Sequence, residues 1–251
     1  MSSEHVVLQT SDDGLFDIVQ INEKNLAEIL VFLSEHFFTS ETMCKSVGAL
    51  EKPVFVMDFA KMLTMMVGEK MSVAVIEKSS NRYIAAICFT LRPKHNNQTF
   101  FGEFAAKHCE DELAKAILQF IDASGTQVNI YERFDVDYVI ECCCLVTHED
   151  FRRKDFGKKL VGFAIKSVLQ KNRAVLPEDR QDVLDNVDRY AFRAVCSSQY
   201  SKLIANKWGC EDLCSSEFSE FKIKEYADKF PKNYKVVTVG CKLPKLLSEY
   251  Q

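Results

Sequence analysis

The stretch Tyr138-Val-Ile-Glu-Cys-Cys-Cys-Leu-Val-Thr-His-Glu-Asp-Phe-Arg-Arg-Lys-Asp-Phe-Gly-Lys-Lys-Leu160 carries the most structural information in the chain. Tyr138 to Thr147 is strongly apolar and reads as a buried strand. A polar turn follows, and helical spacing begins at Phe156 and runs to Gln170. Free backbone N–H groups at a helix start, together with its dipole, attract an anion such as a pyrophosphate. Arg152, Arg153, Lys154, Lys158 and Lys159 surround that point with cations, and Gly157 lets the backbone approach a ligand closely. Taken alone, the same turn also fits a solvated basic surface.

Phe16 to Ile21 reads as a first strand, and Asn22 or Asn25 can cap the helix that follows. In that helix Leu26, Ile29, Leu30, Leu33 and Phe37 form one apolar stripe. Pro53 opens a second helix over Val54 to Val67. A hairpin comes next: Ser72 to Glu77, a turn at Ser79-Ser80-Asn81, then Tyr83 to Leu91. Glu110 to Ile121 and Ser198 to Lys207 have helical spacing, and Tyr190 to Cys196 and Val236 to Leu243 read as strands. The charged segment Asn172 to Asp188 reads as a loop with a short helix. The expectation is a polar extension over 1–14 and one α/β domain over 15–251.

The chain has 251 residues, 47% of them hydrophobic and 27% charged, as in a soluble globular protein. Its net charge of -4 argues against a dedicated nucleic-acid binder. It has no apolar run of roughly 18 residues, the length a membrane-spanning helix needs. The start of the chain is polar and lacks the order of a signal peptide, so a cytoplasmic protein is expected. The 10 cysteines form no CxxC pair, and Cys142, Cys143 and Cys144 should alternate faces on a strand. They read as buried hydrophobes in a reducing compartment, with no metal site expected.

The run Arg152-Arg-Lys-Asp-Phe-Gly157 resembles the acetyl-CoA motif of the GNAT acyltransferases, Arg/Gln-x-x-Gly-x-Gly/Ala, with Asp155 at the middle glycine. His36-Phe-Phe-Thr-Ser-Glu-Thr-Met43 resembles the Phe-Phe-x-Asp-Glu-Pro-Leu segment of insect-type arylalkylamine N-acetyltransferases. Arg193-Ala-Val-Cys-Ser-Ser-Gln-Tyr-Ser-Lys-Leu203 resembles the same family's Cys-Ser-Ser-x-Tyr-Ser segment. The three segments stand in the family's order, and the resemblance extends from about Phe16 to Leu243. It implies the GNAT fold, a central mixed, mostly antiparallel sheet flanked by helices. It also implies acetyl-CoA as co-substrate, a small-molecule amine as acceptor and a monomer. Leu145, Val146 and Thr147 would hold the pantetheine arm. Arg152, Arg153, Lys154, Asp155, Phe156, Gly157 and Lys158 would hold the phosphates. Glu41 would be the general base, assisted by Ser197 and Ser201. At Glu41 the flanking Asp and Pro of the family are Ser40 and Thr42.

The chemistry suits these residue types. An alkylammonium has a pKa of roughly 10 and must lose a proton before it attacks a thioester. A carboxylate can accept that proton directly or through water, and serine hydroxyls can relay it. The Val146 N–H would polarise the thioester carbonyl. Direct attack in a ternary complex needs no acyl-enzyme. Other readings use the same scaffold: a longer acyl-CoA, a polyamine or amino-acid acceptor, or a non-catalytic CoA-binding module. Ser198 is as good a helix cap as Ser197, and His148 reads as a surface residue. Met57, Met62, Met65 and Met66 read as core or as an adaptable wall over an aromatic amine.

Overall fold

The apolar run Tyr138–Thr147 is strand β5 of an eight-stranded sheet in the computed structural model, which describes residues 5–94, 97–154, 156, 160, 165 and 187–248. The other strands are β1 (Val7–Thr10), β2 (Phe16–Gln20), β3 (Val73–Glu77), β4 (Arg82–Pro93), β6 (Tyr190–Cys196), β7 (Glu211–Glu217) and β8 (Lys235–Lys242). Their order across the sheet is β1-β2-β3-β4-β5-β6-β8-β7. Every neighbouring pair is antiparallel except β5 and β6, which are parallel. A parallel pair needs a long crossover, and here the chain from 148 to 189 makes it. β1 falls inside the stretch expected to be a polar extension, so the sheet begins before residue 15.

The helices whose full course lies among the described residues are α1 (Leu26–His36), α2 (Thr42–Ser46), α3 (Pro53–Gly68), α4 (Phe100–Lys107), α5 (Glu112–Gly125), α6 (Ile130–Phe134), α7 (Gln199–Asn206), α8 (Lys224–Ala227) and α9 (Leu243–Ser248). Two cores lie on opposite faces of the sheet, as the period-two alternation of β3 and β4 dictates. Ala74, Ile76, Ala86 and Cys88 face α1, α3, α4 and α5. Val73, Val75, Ala85 and Ile87 face α7, α9 and the helical residues Leu160 and Ile165. The rest of the expected helix Phe156 to Gln170, and most of the Asn172 to Asp188 segment, lie outside the described residues.

α3 starts at Pro53, whose fixed φ suits the first helical position. Its buried face is Phe55, Asp58, Phe59, Met62, Leu63, Met66 and Val67, a helical stripe with one carboxylate in it. The expected methionine stripe therefore divides: Met62 and Met66 are core, whereas Met57 and Met65 are exposed.

At the root of the parallel pair, Glu141 of β5 stands opposite Arg193 of β6. Glu141 Oε1 and Arg193 Nη2 are 3.2 Å apart, with side chains 1% and 0% exposed. Phe100 N–H, in the first turn of α4, donates to Glu141 Oε2 (2.7 Å). Arg193 Nη1 donates to Gly125 O in the last turn of α5 (3.3 Å). The anion thus meets a helix N-terminus and the cation a helix C-terminus, the favourable sense of both dipoles. The pair ties two helices to the sheet immediately before β5 and β6 separate.

Candidate active site

The last paired positions of β5 and β6 are Cys142 and Ala194. Beyond them β5 runs on to Thr147 bonded only to β4. His148 N–H donates to Ile84 O (2.8 Å), which fixes the alternation of the ladder. Val146, two residues back, therefore directs its N–H to β4. The N–H groups of Leu145 and Thr147 point to the open side, and Thr147 O there accepts Arg152 Nε (3.1 Å). This corrects the expectation that the Val146 N–H faces the acyl group. Cys143 is a bulge residue, because Cys144 pairs with Cys88 and Cys142 with Phe89. The cysteine side chains consequently do not alternate: Cys143 and Cys144 pack on one face and Cys142 on the other.

A cavity of about 650 Å³ passes through this gap. Phe37, Phe55, Phe59, Met62 and Ile117 line it on the α1–α3–α5 side, and Phe151, Phe156, Ile204, Ala205 and Trp208 line it on the other. Cys142 to Thr147 and Val195 to Ser197 form its neck. Its charged lining residues divide by side. Arg152, Arg153 and Lys207 come from the β5 turn and the end of α7, whereas Glu41 and Asp58 come from the segments around α2 and α3.

Glu41, Ser197 and Ser201 all line this cavity, although the first is far from the others in sequence. Glu41 is the N-cap of α2. Its carboxylate accepts the N–H of Met43 (3.1 Å) and of Cys44 (2.7 Å), and the Ser197 hydroxyl donates to Oε1. Ser201 makes different contacts. Its hydroxyl donates to Ser198 O (2.9 Å) and lies 3.0 Å from Ser198 Oγ, and Ser198 is the N-cap of α7. The two serines four apart thus belong to separate networks: Ser197 to Glu41, Ser201 to the start of α7. The Cys196 thiol, beside Ser201, is pushed up to about 12 by burial. Burial also pushes the thiols of Cys142 and Cys143 up, so both are protonated at neutral pH.

Leu145, Val146, Thr147, Arg152, Arg153 and Phe156 also line the cavity. Arg153 has φ 65°, a left-handed conformation that turns the chain sharply after Arg152. Lys154 instead places its ammonium over the Phe151 ring, 4.9 Å from the centroid. Asp155, Gly157, Lys158 and Lys159 lie outside the described residues. His148 packs on His36, ring centroids 4.3 Å apart, and its Nδ1 accepts the Asp150 N–H (3.2 Å). Among the described residues, no group of three or more His, Cys, Asp or Glu is placed to hold a metal ion, and no helix is long and apolar enough to cross a membrane.

Sequence reasoning passed over Asp58, Cys44 and Lys207, which line the cavity, and left the cap of α7 open between Ser197 and Ser198; Ser198 is the cap. Only Asp58 left a signal, a carboxylate at a position where the helical stripe of α3 calls for an apolar side chain.

Neither a protein-family model nor a curated protein sequence matches the chain. Solved structures do match. Arylalkylamine N-acetyltransferase 2 from Aedes aegypti aligns over 91% of this chain and 99% of its own, with TM-score 0.68 and 16% identity. A mosquito arylalkylamine N-acetyltransferase like 5b aligns over 91% and 100%, with TM-score 0.70 and 13% identity. A Drosophila melanogaster polyamine N-acetyltransferase, which catalyses formation of N-acetylagmatine, aligns over 91% and 100%, with TM-score 0.67 and 15% identity. Identity this low speaks to architecture alone. In its mixed sheet, its flanking helices and these likenesses, the chain has the fold of the GNAT N-acetyltransferases, in the form seen in the insect arylalkylamine enzymes.

Proposed function

We propose that this chain transfers the acetyl group of acetyl-CoA to a primary amine of the arylalkylamine or polyamine kind, acting as a cytoplasmic monomer. The observation that supports this most is the charge division of the cavity. An anionic donor and a cationic acceptor are the two reactants of that transfer, and they need opposite potentials on opposite sides of one neck.

The described residues fit acetyl-CoA. Leu145 and Thr147 offer backbone N–H groups on the open edge of β5, suited to the amides of the pantetheine arm. Arg152 and Arg153 start the turn that would hold the phosphates, with Asp155, Phe156, Gly157 and Lys158 as the rest of the proposed set and Lys154 at its rim. Acetyl-CoA supplies a thioester acyl group, and the chain's own residues bind, orient and move protons. The Leu145 N–H, next to the neck, is suited to polarising the acyl carbonyl.

Ser197 is the relay in this reading. Its hydroxyl hydrogen is committed to Glu41, so its lone pairs remain to receive a proton from the substrate ammonium. The proton passes from nitrogen to Ser197 Oγ while the hydroxyl proton passes to Glu41. The freed amine attacks the thioester carbonyl and the C–S bond breaks. The proton that the nitrogen sheds on becoming an amide goes to the departing thiolate, with the Ser201 hydroxyl turning from Ser198 O to pass it on. Direct attack is favoured over an acyl-cysteine, because the thiols at the neck are held protonated.

The test is thiol release with a panel of primary amines against several acyl-CoAs. Turnover that needs both an amine and acetyl-CoA is expected. Thiol release that does not depend on the amine would overturn the reading, as would a strong preference for long acyl chains.

A further inference from the structure

Asp58 has no part in the relay, yet it lines the same cavity from the apolar face of α3. Its side chain is 1% exposed. One oxygen, Oδ2, is fully used: it accepts the N–H of Glu110 (2.8 Å), the N–H of Asp111 (2.7 Å) and the thiol of Cys109 (3.1 Å). The other, Oδ1, has among the described residues only Lys61 at 3.5 Å. Lys61 is 39% exposed and sits closer to Glu110, at 2.5 Å. A buried carboxylate oxygen with only a long, partly solvated contact keeps unused acceptor capacity.

The surroundings favour a cation. Phe37, Phe55, Phe59 and Phe101 line this side of the cavity, and Phe37 stacks on Phe59 with centroids 5.7 Å apart. Aromatic faces beside a carboxylate suit an ammonium or guanidinium group. Burial pushes the Asp58 carboxyl up, but the N–H groups of Asp111 and Glu110, the Cys109 thiol and Lys61 outweigh it and hold it below its ordinary range. The Cys109 thiol, pushed up to about 12 by burial and by Asp58, stays protonated as the donor.

The position gives a length. Asp58 is bonded at the N-terminal end of α5, and Ile117, Leu118 and Ile121 continue the lining along that helix. A rise of about 1.5 Å per residue makes Asp111 to Ile121 roughly 15 Å. At the far end, a Cβ added to Gly125 would stand 3.2 Å from Val195, which precedes Cys196 and Ser197 at the neck.

We propose that Asp58 is a second recognition point for the acceptor, and that the preferred amine carries a second cationic group several carbons from the nitrogen that is acetylated. This rests on the acetyl-transfer reading and narrows it. Ser197 and Glu41 would receive the reacting nitrogen at the neck while Asp58 and the phenylalanine rings hold the distal cation.

The experiment compares kcat/KM for α,ω-diamines of increasing length with the n-alkylamine of equal length, in the wild-type chain and in Asp58→Asn. A charge-assisted contact of about 1.5–3 kcal/mol corresponds to roughly a 10–100-fold preference for the diamine at the best length. In Asp58→Asn that ratio is expected to fall toward one, mainly through KM. The wild-type series stands even if the variant does not fold, and a ratio near one at every length overturns the proposal. An unchanged ratio in a folded Asp58→Asn overturns it too, leaving Asp58 as a cap of the α5 turn only. If no amine of either kind releases thiol, the acetyl-transfer reading fails instead. Calorimetric titration of diamine against monoamine into the CoA-loaded chain then still decides on Asp58, with tighter diamine binding expected and equal binding overturning it.

Discussion

Strands β5 and β6 are bonded from Tyr138 and Tyr190 to Cys142 and Ala194, and beyond that point they part. The two halves of this pair solve opposite problems. At the root, Glu141 and Arg193 bury two charges and set them against each other as an ion pair and against two helix ends. At the open end, Leu145 and Thr147 leave backbone groups without a strand partner, and a cavity enters between them and Ser197. Unpaired backbone polarity is costly in a sealed interior and useful beside a ligand. The root therefore belongs to stability, and the open end to the proposed chemistry.

That division is broken most severely at the open end by Glu41→Gln. Losing the proton acceptor is expected to lower kcat/KM on the order of 10²–10⁴-fold near neutral pH, with the fold retained. Circular dichroism alongside the rate assay checks both parts. A variant with wild-type turnover on a reactive amine would remove Glu41 from the relay.

Arg193→Met tests the root. It leaves Glu141 buried without its cation, a loss of about 3–5 kcal/mol in chemical denaturation. Replacing both, Glu141→Leu with Arg193→Met, is expected to recover much of that loss, because no unpaired charge remains. A single variant with wild-type stability would show that the root does not need the pair.

Arg153→Ala is expected to act on the cofactor side only. Losing one charge-assisted contact of about 1.5–3 kcal/mol weakens acetyl-CoA binding roughly 10–100-fold, with little change in denaturation midpoint. Equal binding by the variant would place the phosphates elsewhere.

The smallest effect is on pH dependence. Burial and the charge of the neighbouring His148 hold the His36 imidazole below its ordinary value, against Glu35 and Glu149, which raise it, while Arg152 lowers it further. The unfolded chain takes up this proton near pH 6.5, and the folded chain only at lower pH. Between the two values the unfolded state binds more protons, so stability falls as pH drops from about 7 into that window. His36→Gln should flatten this part of the melting-temperature profile between pH 7 and 5.5. An unchanged slope would assign it to other groups.

The sequence carried the central elements because their signals are local. Pro53 marks the first turn of α3, and the apolar run of β5 and the turn after it give the splayed strand and its basic loop. Weak local signals hid other parts. β1 is only Val-Leu-Gln-Thr, and β7 is Glu-Asp-Leu-Cys-Ser-Ser-Glu, too polar to read as a strand until β8 pairs with it. Non-local geometry hid the rest. Only the parallel register brings Glu141 to Arg193, and only folding shows that Ser197 turns to Glu41 while Ser198 caps α7. The bulge at Cys143 defeated simple alternation, which reading Tyr138 to Thr147 as a regular strand cannot reveal.

The central claim is that the gap between β5 and β6 holds an acyl-CoA on its cationic side. Isothermal titration of acetyl-CoA into the full chain tests it most directly. Saturable binding at micromolar ligand, weakened by Arg153→Ala and unaffected by Asp58→Asn, is the expected result. No binding at millimolar acetyl-CoA would contradict it.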